Sequence, residues 1–275
     1  MLEPREVIRF CDTHCHLNFD LFDADREDIV RDAQSAGVHW MVNPAVDVAS
    51  SQVIVRMAET LDGVYAAVGV HPNDSTSWDE ESLPLLTQLA RHPKVLAIGE
   101  IGLDYYRDRA PRKVQQTVLC SQLQLAQEMG LPVILHTRQS IPDTLDILKD
   151  WILTQKVYNH RLAGHPGVLH SFSGTEADAW RAIELGFFIG ITGPVTFKNA
   201  PDLQKLVAAL PLDRILIETD APFLAPHPHR GQRNRPEWVR LVAEKIAELQ
   251  HTSLEETAKI TTANAQRLFA WRDLG

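Results

Sequence analysis

The sequence predicts a single-domain α/β protein of the TIM-type (β/α)8 barrel class. Short apolar runs bounded by turn residues recur at a mean spacing of roughly 30 residues, which is the size of a strand–helix–strand unit. Amphipathic segments with helix-capping residues lie between most of these runs. The length of 275 residues also fits, because α/β barrels commonly use about 250 residues as one domain. We therefore expect one barrel domain over residues 1–275, with an open doubly wound sheet as the alternative.

The predicted strands are the apolar runs at residues 7–13, 38–43, 64–70, 94–99, 132–136, 167–171, 186–190 and 214–219. Helices with clear end signals are predicted at residues 111–130, 175–186, 236–250 and from residue 253 onward. Pro111 suits a first helical turn, and Gly130 suits the position just beyond a helix. Ser253 and Glu256 have the spacing of a capping box. No Gly-x-Gly-x-x-Gly motif follows the first strand, which removes the nucleotide-binding version of the open sheet.

Composition limits the classes of function. The formal net charge of −9 argues against a broad basic surface that coats nucleic acid. A local site for an anion remains compatible, because two divalent cations would bring about four positive charges into one cleft. The three cysteines argue against a disulfide framework and for a reducing compartment. Because no uncharged apolar stretch of about 18 residues and no secretory signal occur, we expect a cytoplasmic protein that does not enter a membrane.

Two histidines follow the first apolar run, in the segment Asp12-Thr13-His14-Cys15-His16. Side chains alternate faces in an extended chain, so His14 and His16 point the same way and Cys15 points the opposite way. Imidazoles roughly 6–7 Å apart along a strand can close on one metal ion, whose bonds are each about 2 Å. The pair lies where a strand ends, which is where α/β folds place catalytic groups. A surface or hydrogen-bonding role is the alternative.

Side chains of the kinds that bind metal ions recur at the ends of other predicted strands. They are His71 after strand three, Glu100 after strand four, His136 after strand five, His170 after strand six and Asp220 after strand eight. The carboxyl ends of all strands share one rim in a barrel, so residues far apart in sequence converge there. Each of these side chains alone is more commonly a hydrogen-bonded or turn residue. Their joint placement at separate strand ends favours a metal centre.

Seven segments carry a resemblance to a known family. In chain order they are Asp12-Thr13-His14-Cys15-His16, Gly69-Val70-His71-Pro72, Gly99-Glu100-Ile101-Gly102-Leu103-Asp104-Tyr105-Tyr106, His136-Thr137-Arg138, His170-Ser171-Phe172-Ser173-Gly174, Glu218-Thr219-Asp220-Ala221-Pro222 and Arg230-Gly231-Gln232-Arg233-Asn234. These segments resemble the TatD family of metal-dependent deoxyribonucleases, which belongs to the amidohydrolase-like barrels. The resemblance runs from residue 9 to Phe269. Ser171 and Ala265 depart from the family pattern, and neither stands at a ligand position.

The resemblance implies a deoxyribonuclease of the 3′–5′ exonuclease type that uses two divalent metal ions. The family pattern implies that one metal is held by His14, His16 and Asp220. It implies that the second metal is held by His136 and His170, and that Glu100 bridges both metals. Mg²⁺ or Mn²⁺ is the expected activating ion, and Zn²⁺ also suits such ligands. Asp220 and Glu100 are the candidate catalytic residues, with Asp220 as acceptor of the proton from the attacking water. Glu218 has either an orienting or a structural role.

Candidate substrate-binding residues lie near the same rim. Guanidinium groups pair with phosphate oxygens and an asparagine amide donates to phosphate or base, so Arg138, Arg230, Arg233 and Asn234 suit DNA. A solvated basic loop is the alternative for the last three of these. His71 either faces the phosphate, supports a neighbouring ligand, or makes an ordinary hydrogen bond.

Other functions stay open at this point. The nearest is hydrolysis of small esters, amides or phosphoesters by the same barrel superfamily. Many of those enzymes carry a modified lysine at the end of strand four, where this chain has Glu100, while Lys94 lies at the start of that strand. Hydrolysis of aminoacyl esters on transfer RNA and a non-catalytic scaffold barrel are further alternatives. Tyr105 and Tyr106 either stack on a nucleobase or pack the rim. We expect a monomer that acts on DNA, with a role in DNA repair.

Overall fold

The computed structural model describes residues 8–107, 109–157, 162 and 164–270, and in this part of the chain eight parallel strands form one sheet. The strands are β1 (Phe10–Asp12), β2 (Val38–Pro44), β3 (Val64–Val68), β4 (Val95–Asp104), β5 (Val133–Arg138), β6 (Gly167–Leu169), β7 (Phe188–Ile191) and β8 (Ile215–Ile217). Each strand pairs with the next along the chain. The predicted barrel of a single domain is confirmed. Residue 7, the predicted start of the first strand, and the two ends of the predicted domain 1–275 lie outside the described residues.

The barrel closes through the residues that follow β1 and β8. The N–H of Thr13 donates to the carbonyl of Ile217 over 3.2 Å, and the N–H of Asp220 donates to the carbonyl of His14 over 2.8 Å. The N–H of His16 donates to the carbonyl of Ala221 over 2.7 Å. The first and last strands are therefore joined by hydrogen bonds at and just beyond their carboxyl ends. This closure brings two segments about 200 residues apart in sequence side by side, on the rim where barrels place their chemistry.

Helices surround the strands, and most of the predicted end signals lie at or next to their ends; at the start of the last helix, Ser253 accepts from the N–H of Glu256, which is one of the two hydrogen bonds of the predicted capping box. The helices are α1 (Arg26–Ser35), α2 (Val48–Thr60), α3 (Ser82–Leu89), α4 (Arg112–Met129), α5 (Ile141–Val157), α6 (Glu176–Glu184), α7 (Pro201–Ala209), α8 (Val239–Leu249) and α9 (Leu254–Phe269). Gly130 ends α4 in the left-handed conformation, with φ of 63°. Thr175 and Asp178 form a capping box at the start of α6. None of these described helices is long and apolar enough to cross a membrane.

The interior of the barrel is filled by buried side chains from all eight strands. They include Cys11, Val42, Ala67, Ala97, Ile134, Val168, Phe188 and Leu216, and they join Ala265, Leu268 and Phe269 of α9 in one cluster. Side chains two residues apart on a strand share a face. His136 therefore lies one layer above Ile134, and Glu218 one layer above Leu216, both toward the open end of the barrel.

β4 is longer than the predicted strand at 94–99, so Glu100 lies within the strand and not after it. The register of β4 with β5 shifts between Ile98 and Ile101, which is a β-bulge. Gly102 has φ of 142°, and a Cβ atom there would lie 2.0 Å from the carbonyl oxygen of His136. Glycine is required by this close approach. In a sequence, glycines such as those around Glu100 indicate either a strand end or a bulge within a strand. The predicted strand is shorter than β4 because the glycines are interpreted as its end.

Candidate metal centre

Two imidazoles and two carboxylates converge where β1 and β8 end. Nε2 of His14 lies 3.2 Å from Nε2 of His16. Oε2 of Glu100 lies 3.5 Å from Nε2 of His14 and 3.7 Å from Nε2 of His16. Oδ1 of Asp220 lies 3.8 Å and 3.5 Å from the same two nitrogens. One cation with bonds of about 2 Å could contact several of these atoms after small movements of the side chains.

The hydrogen bond of His16 leaves its Nε2 facing the centre. Nδ1 of His16 lies 3.2 Å from the carbonyl oxygen of Pro44, and a carbonyl only accepts, so Nδ1–H is the donor. Nε2 of His16 is therefore the ring nitrogen that a metal ion would contact, and it faces Nε2 of His14. The other ring nitrogen of His14, Nδ1, is buried and has no hydrogen-bond partner in the described structure. Closely spaced ring nitrogens of this kind fit a divalent cation held between them.

Glu100 stands between this pair of histidines and a second pair. While its Oε2 faces His14 and His16, its Oε1 lies 2.8 Å from Nδ1 of His136. The same Oε1 lies 3.7 Å from Nε2 of His71. One carboxylate thus presents one oxygen atom to each side. This arrangement suits a carboxylate shared by two cations about 3.5–4 Å apart.

The ring nitrogen of His71 that faces the centre is protonated, which does not suit a metal ligand. Nδ1 of His71 accepts a hydrogen bond from the backbone N–H of Asn73 over 3.1 Å, so the proton of the neutral ring is on Nε2. Burial lowers the pKa of His71 to about 3, although the neighbouring Glu100 acts to raise it. The neutral ring therefore directs an Nε2–H donor toward Glu100. This geometry supports the interpretation of His71 as a hydrogen-bond donor to an anion.

His170 is held by the buried carboxylate of Glu218. Oε2 of Glu218 accepts hydrogen bonds from Nδ1 of His170 over 2.8 Å and from the N–H of Ser171 over 3.0 Å. Oε1 of Glu218 accepts from the hydroxyl of Thr13 over 3.2 Å. Since Nδ1 of His170 is the donor, its Nε2 is available as a ligand atom and lies 3.7 Å from Oδ1 of Asp220. Of the two roles left open by the sequence, the geometry favours orientation of a neighbouring ligand.

The ligand atoms of the described residues fall into groups whose members lie within 4.8 Å of one another. The groups are His14 with His16 and Asp220, His71 with Glu100 and His136, and His14 with His170 and Glu218. Glu218 already accepts hydrogen bonds from His170, Ser171 and Thr13, and His71 has its proton on the ring nitrogen that faces Glu100, so neither suits a metal ligand. His136 and His170, predicted to hold one metal together, fall into different groups, so that assignment stays a prediction. All six predicted ligands nevertheless lie at one rim.

The carboxylates of this centre are stabilised in their ionised form. Burial raises the pKa of Glu100, but the imidazoles of His71 and His14 outweigh burial and hold that pKa well below its usual range. Burial acts on Asp220 in the same direction, and the hydrogen bond with His16 together with neighbouring imidazoles leaves its pKa lowered. One buried and one partly buried negative charge therefore face the histidines, and they require positive charge nearby.

Two imidazoles of the centre have raised pKa values. Burial lowers the pKa of His136, but its hydrogen bonds to Asp104 and Glu100 outweigh burial and raise that pKa to about 9. Burial likewise lowers the pKa of His170, while Glu218 outweighs it, and the pKa again lies at about 9. In the protein alone, protons on these rings supply the positive charge. Divalent cations suit the same requirement, so the donor set fits the metal ions that the family pattern implies.

Two carboxylates that received no role from the sequence also shape the centre. Oδ1 of Asp104 accepts from the backbone N–H groups of residues 106 and 107 over 2.9 Å each, and its Oδ2 lies 3.2 Å from Nε2 of His136. Asp12 accepts from the N–H of Thr219 over 2.9 Å and from its hydroxyl over 2.5 Å. Both stand in segments already singled out for metal binding. Their hydrogen-bond partners, however, are visible only in three dimensions.

The centre opens into a cleft of about 820 Å³, which is within the range of ligand-binding pockets. Its cationic lining comes from Arg107, Arg109 and Arg138, and its apolar lining includes Phe19, Phe223 and Leu224. The guanidinium of Arg138 lies 4.1 Å from the ring centre of Tyr106, a cation–π contact. Of the predicted substrate-binding residues, His71 and Arg138 line the cleft.

The predicted contact of the loop 230–234 with substrate has no support in the geometry. The guanidinium of Arg233 is paired with both carboxylate oxygens of Asp25, over 3.0 Å and 2.5 Å. The guanidinium of Arg230 lies 4.5 Å from the ring centre of Phe197. Neither arginine is among the residues that line the cleft. The basic residues of this loop predicted a phosphate as their partner, whereas the partner of Arg233 is a carboxylate of the same chain.

Asn234 is fully buried, and its position also argues against direct contact with substrate. Its side-chain amide donates to the carbonyl of Thr219 over 2.7 Å and to the carbonyl of Phe223 over 2.6 Å. These two carbonyls flank Asp220. Asn234 therefore fixes the turn that carries a candidate metal ligand, which corrects its predicted role.

Eight parallel strands with histidines and carboxylates gathered at their carboxyl ends define the class of barrel-shaped metal-dependent hydrolases. The sequence pattern of the family described as TatD related DNase matches residues 11–270. The chain belongs to this family, as its motifs predict.

Relatives with names and solved structures agree with this membership. The uncharacterized metal-dependent hydrolase YabD of Bacillus subtilis is 42% identical over 258 residues, which cover 94% of this chain and 98% of YabD. The 3′-5′ ssDNA/RNA exonuclease TatD of Klebsiella pneumoniae is 34% identical over 264 residues, covering 94% of this chain and 97% of that protein. The crystal structure of YjjV, a TatD homolog from Escherichia coli K12, has a TM-score of 0.88 and 36% identity, covering 96% of this chain and 99% of YjjV.

Proposed function

We propose that the protein is a metal-dependent nuclease that removes nucleotides from the 3′ end of single-stranded DNA. The observation that carries this proposal is the convergence of His14, His16 and Asp220, with Glu100 facing both histidines, beside a cleft lined by arginines. A cleft with cationic lining suits a phosphodiester. The nucleic-acid substrate is further supported by the relative from Klebsiella pneumoniae, which is named as a single-stranded DNA and RNA exonuclease.

The ligands in this proposal are those that the family pattern implies. When bound, two divalent ions, Mg²⁺ or Mn²⁺, would acidify the attacking water and offset negative charge on the scissile phosphate. His14, His16 and Asp220 would hold one ion, His136 and His170 the other, with Glu100 between them. Zn²⁺ is compatible with the same nitrogen and oxygen donors.

Asp220 accepts the proton of the attacking water in this mechanism. Its backbone has φ of 56°, in the left-handed region that aspartate tolerates better than most residues. Oδ1 of Asp220 lies within 3.5–3.8 Å of Nε2 of His14, His16 and His170. An ionised carboxylate at that place is within reach of a water molecule in the same centre.

His71 and Arg138 bind the phosphate. The Nε2–H of His71 donates to a non-bridging oxygen, because its Nδ1 is already an acceptor from the backbone of Asn73. The guanidinium of Arg138, held over the ring of Tyr106, pairs with the phosphate and offsets the charge that develops on it.

The test starts from protein treated with a chelator and then returned to Mg²⁺, Mn²⁺ or Zn²⁺ separately. Labelled single-stranded DNA, duplex DNA, RNA, an aryl phosphodiester and an aryl carboxylic ester are offered as substrates. We expect shortening of single-stranded DNA from its 3′ end with Mg²⁺ or Mn²⁺. His14→Ala and Asp220→Asn should abolish cleavage and leave the circular dichroism spectrum unchanged.

His251→Asn, at an exposed histidine outside the cleft, is the matched control and should cleave normally. Full activity of His14→Ala or Asp220→Asn would contradict the assigned centre. Turnover of the small esters without any cleavage of nucleic acid would contradict the nuclease proposal.

A further inference from the structure

An apolar surface lies exposed beside the candidate metal centre. Phe223 and Leu224 keep 48% and 37% of their surface exposed, and they follow the candidate ligand Asp220 by three and four residues. Both line the cleft together with Phe19. The rings of Phe19 and Phe223 lie 5.8 Å apart at 70°, which is the edge-to-face arrangement that aromatic pairs prefer. We call Phe19, Phe223 and Leu224 the apolar wall.

The apolar wall is fixed relative to the centre. The ring of Phe19 stacks on that of His16, with centroids 4.6 Å apart and planes at 15°. The N–H of Phe223 donates to the carbonyl of Asp220 over 2.8 Å, and the carbonyl of Phe223 accepts from the buried amide of Asn234 over 2.6 Å. Aromatic surface that is exposed in water and yet held rigidly is typical of a site prepared for a ligand.

The cationic lining belongs to the other side of the rim. Phe19 follows β1 and Phe223 follows β8, whereas Arg107 follows β4 and Arg138 ends β5. In the observed strand order, β4 and β5 are diametrically across the barrel from β8 and β1. The cleft therefore has an apolar side and a cationic side, with the candidate metal ligands between them.

A nucleotide has the same division of chemistry. Its phosphate is anionic, and its base has two flat faces that stack on aromatic rings. When the phosphate lies at the metal ligands and pairs with Arg138, one side of the nucleotide faces the cationic lining. The exposed ring of Phe223 lies on the remaining side, next to Phe19, one face of which is covered by His16. Tyr106 is less suited to this task, because the guanidinium of Arg138 already lies over its ring.

We propose that the apolar wall stacks on the unpaired base of the nucleotide next to the scissile phosphate. This inference rests on the proposed function and names the part of the substrate that the wall binds. A base inside a duplex has its faces covered by neighbouring base pairs and must leave the stack, at a cost of a few kcal/mol, to reach a protein ring. The wall therefore makes an unpaired 3′ end the preferred substrate.

The experiment compares two single-stranded oligomers that differ only in their bases. One is oligothymidylate, and the other carries abasic tetrahydrofuran residues at its three 3′-terminal positions, with the same phosphates. Cleavage is measured with the activating metal for the wild type and for Phe223→Ala, Phe223→Tyr and Trp180→Ala. Trp180 is an aromatic residue of α6 with 39% exposure, and it does not line the cleft, so it controls for loss of exposed aromatic surface.

We expect the wild type to prefer the oligomer with bases. Phe223→Ala should lose about 5- to 150-fold in kcat/KM on that oligomer, the range for loss of one base–aromatic stack. On the abasic oligomer it should match the wild type, which shows that the centre is intact. Phe223→Tyr should keep most of the preference, because it keeps the ring, and Trp180→Ala should behave as the wild type on both oligomers.

The outcomes separate this inference from the proposed function. Equal cleavage of both oligomers by the wild type would overturn the base-stacking role and leave the nuclease proposal standing. An equal loss on both oligomers in Phe223→Ala would also overturn it, because the residue would then support the centre. Cleavage of neither oligomer by the wild type would remove both proposals. A change from dimer to monomer in Phe223→Ala, measured by light scattering, would assign the wall to a second copy of the chain and overturn the inference.

Discussion

Glu218 accepts a hydrogen bond from Nδ1 of His170 over 2.8 Å, and the carboxylate is fully buried. The same oxygen accepts from the backbone N–H of Ser171, so two donors hold it in place. The hydrogen bond keeps a proton on Nδ1 of His170, so Nε2, which faces Asp220, is the atom that a metal ion would contact. In metal sites, a carboxylate behind a histidine orients the ring and raises its basicity as a ligand.

Glu218→Gln should weaken metal binding while the protein stays folded. Glutamine has the same size, and its amide can donate to the hydroxyl of Thr13 while its oxygen accepts from His170. The loss of the negative charge should lower affinity for Mn²⁺ by about 10- to 100-fold, the range seen when such partners of metal ligands are changed. Calorimetric titration of chelator-treated protein with Mn²⁺ measures this change. An unchanged affinity would mean that Glu218 has only a structural role.

Gly190→Ala should displace Glu218. A Cβ atom on Gly190 would lie 2.4 Å from Oε2 of Glu218, and that oxygen cannot move away without leaving the donors at His170 and Ser171. We expect a loss of about 1–3 kcal/mol in the free energy of unfolding, as for overpacking of a buried site, together with weaker Mn²⁺ binding. Urea unfolding and calorimetry measure the two effects.

Gly164→Ala is the matched control for this change, because a Cβ atom at Gly164 would meet nothing within 4 Å. It should leave both the unfolding midpoint and the affinity for Mn²⁺ as in the wild type. If Gly190→Ala behaved like this control, the packing of Glu218 against β7 would not matter for the centre.

Metal binding should stabilise the folded protein. A ligand that binds only the native state at 100 times its Kd adds about 2.7 kcal/mol, which corresponds to a rise of about 5–10 °C in Tm for a chain near this size. We expect this rise when Mn²⁺ is added to chelator-treated protein. His16→Ala should remove most of it, because Nε2 of His16 is one of the converging ligand atoms. A full rise in this variant would place the bound metal elsewhere.

Arg138 and Arg233 form a matched pair of arginines for testing phosphate recognition. Arg138→Ala should raise KM for single-stranded DNA by about tenfold, as expected for loss of a hydrogen bond to a charged group, and Arg138→Lys should restore part of it. Arg233→Ala should leave kinetics unchanged and lower the free energy of unfolding by no more than about 1 kcal/mol, because it removes an ion pair near the surface.

Two measurements test these expectations: kinetics on DNA at a fixed metal concentration, and unfolding in urea. A rise in KM for Arg233→Ala would restore the substrate-binding role that its sequence position suggested. No rise for Arg138→Ala would remove Arg138 from the phosphate site.

The sequence by itself determined the strand positions, the ends of several helices and the metal-type residues of the rim. These features depend on local rules. Alternation along an extended chain put His14 and His16 on one face, and the two Nε2 atoms lie 3.2 Å apart. The barrel class then implied that residues at separate strand ends share one rim, and the structure gathers Glu100 and Asp220 with those histidines.

Only the tertiary structure decided which polar groups pair with each other. Glu218 meets His170 across 48 residues, and Arg233 meets Asp25 across 208. A charged side chain in a sequence indicates that it needs a partner, but a guanidinium suits a carboxylate as well as a phosphate. The choice depends on distances between elements, which the packing of the whole barrel fixes. For the same reason, the apolar wall could not be predicted from the sequence, because Phe19 contacts Phe223 only once β1 and β8 lie side by side.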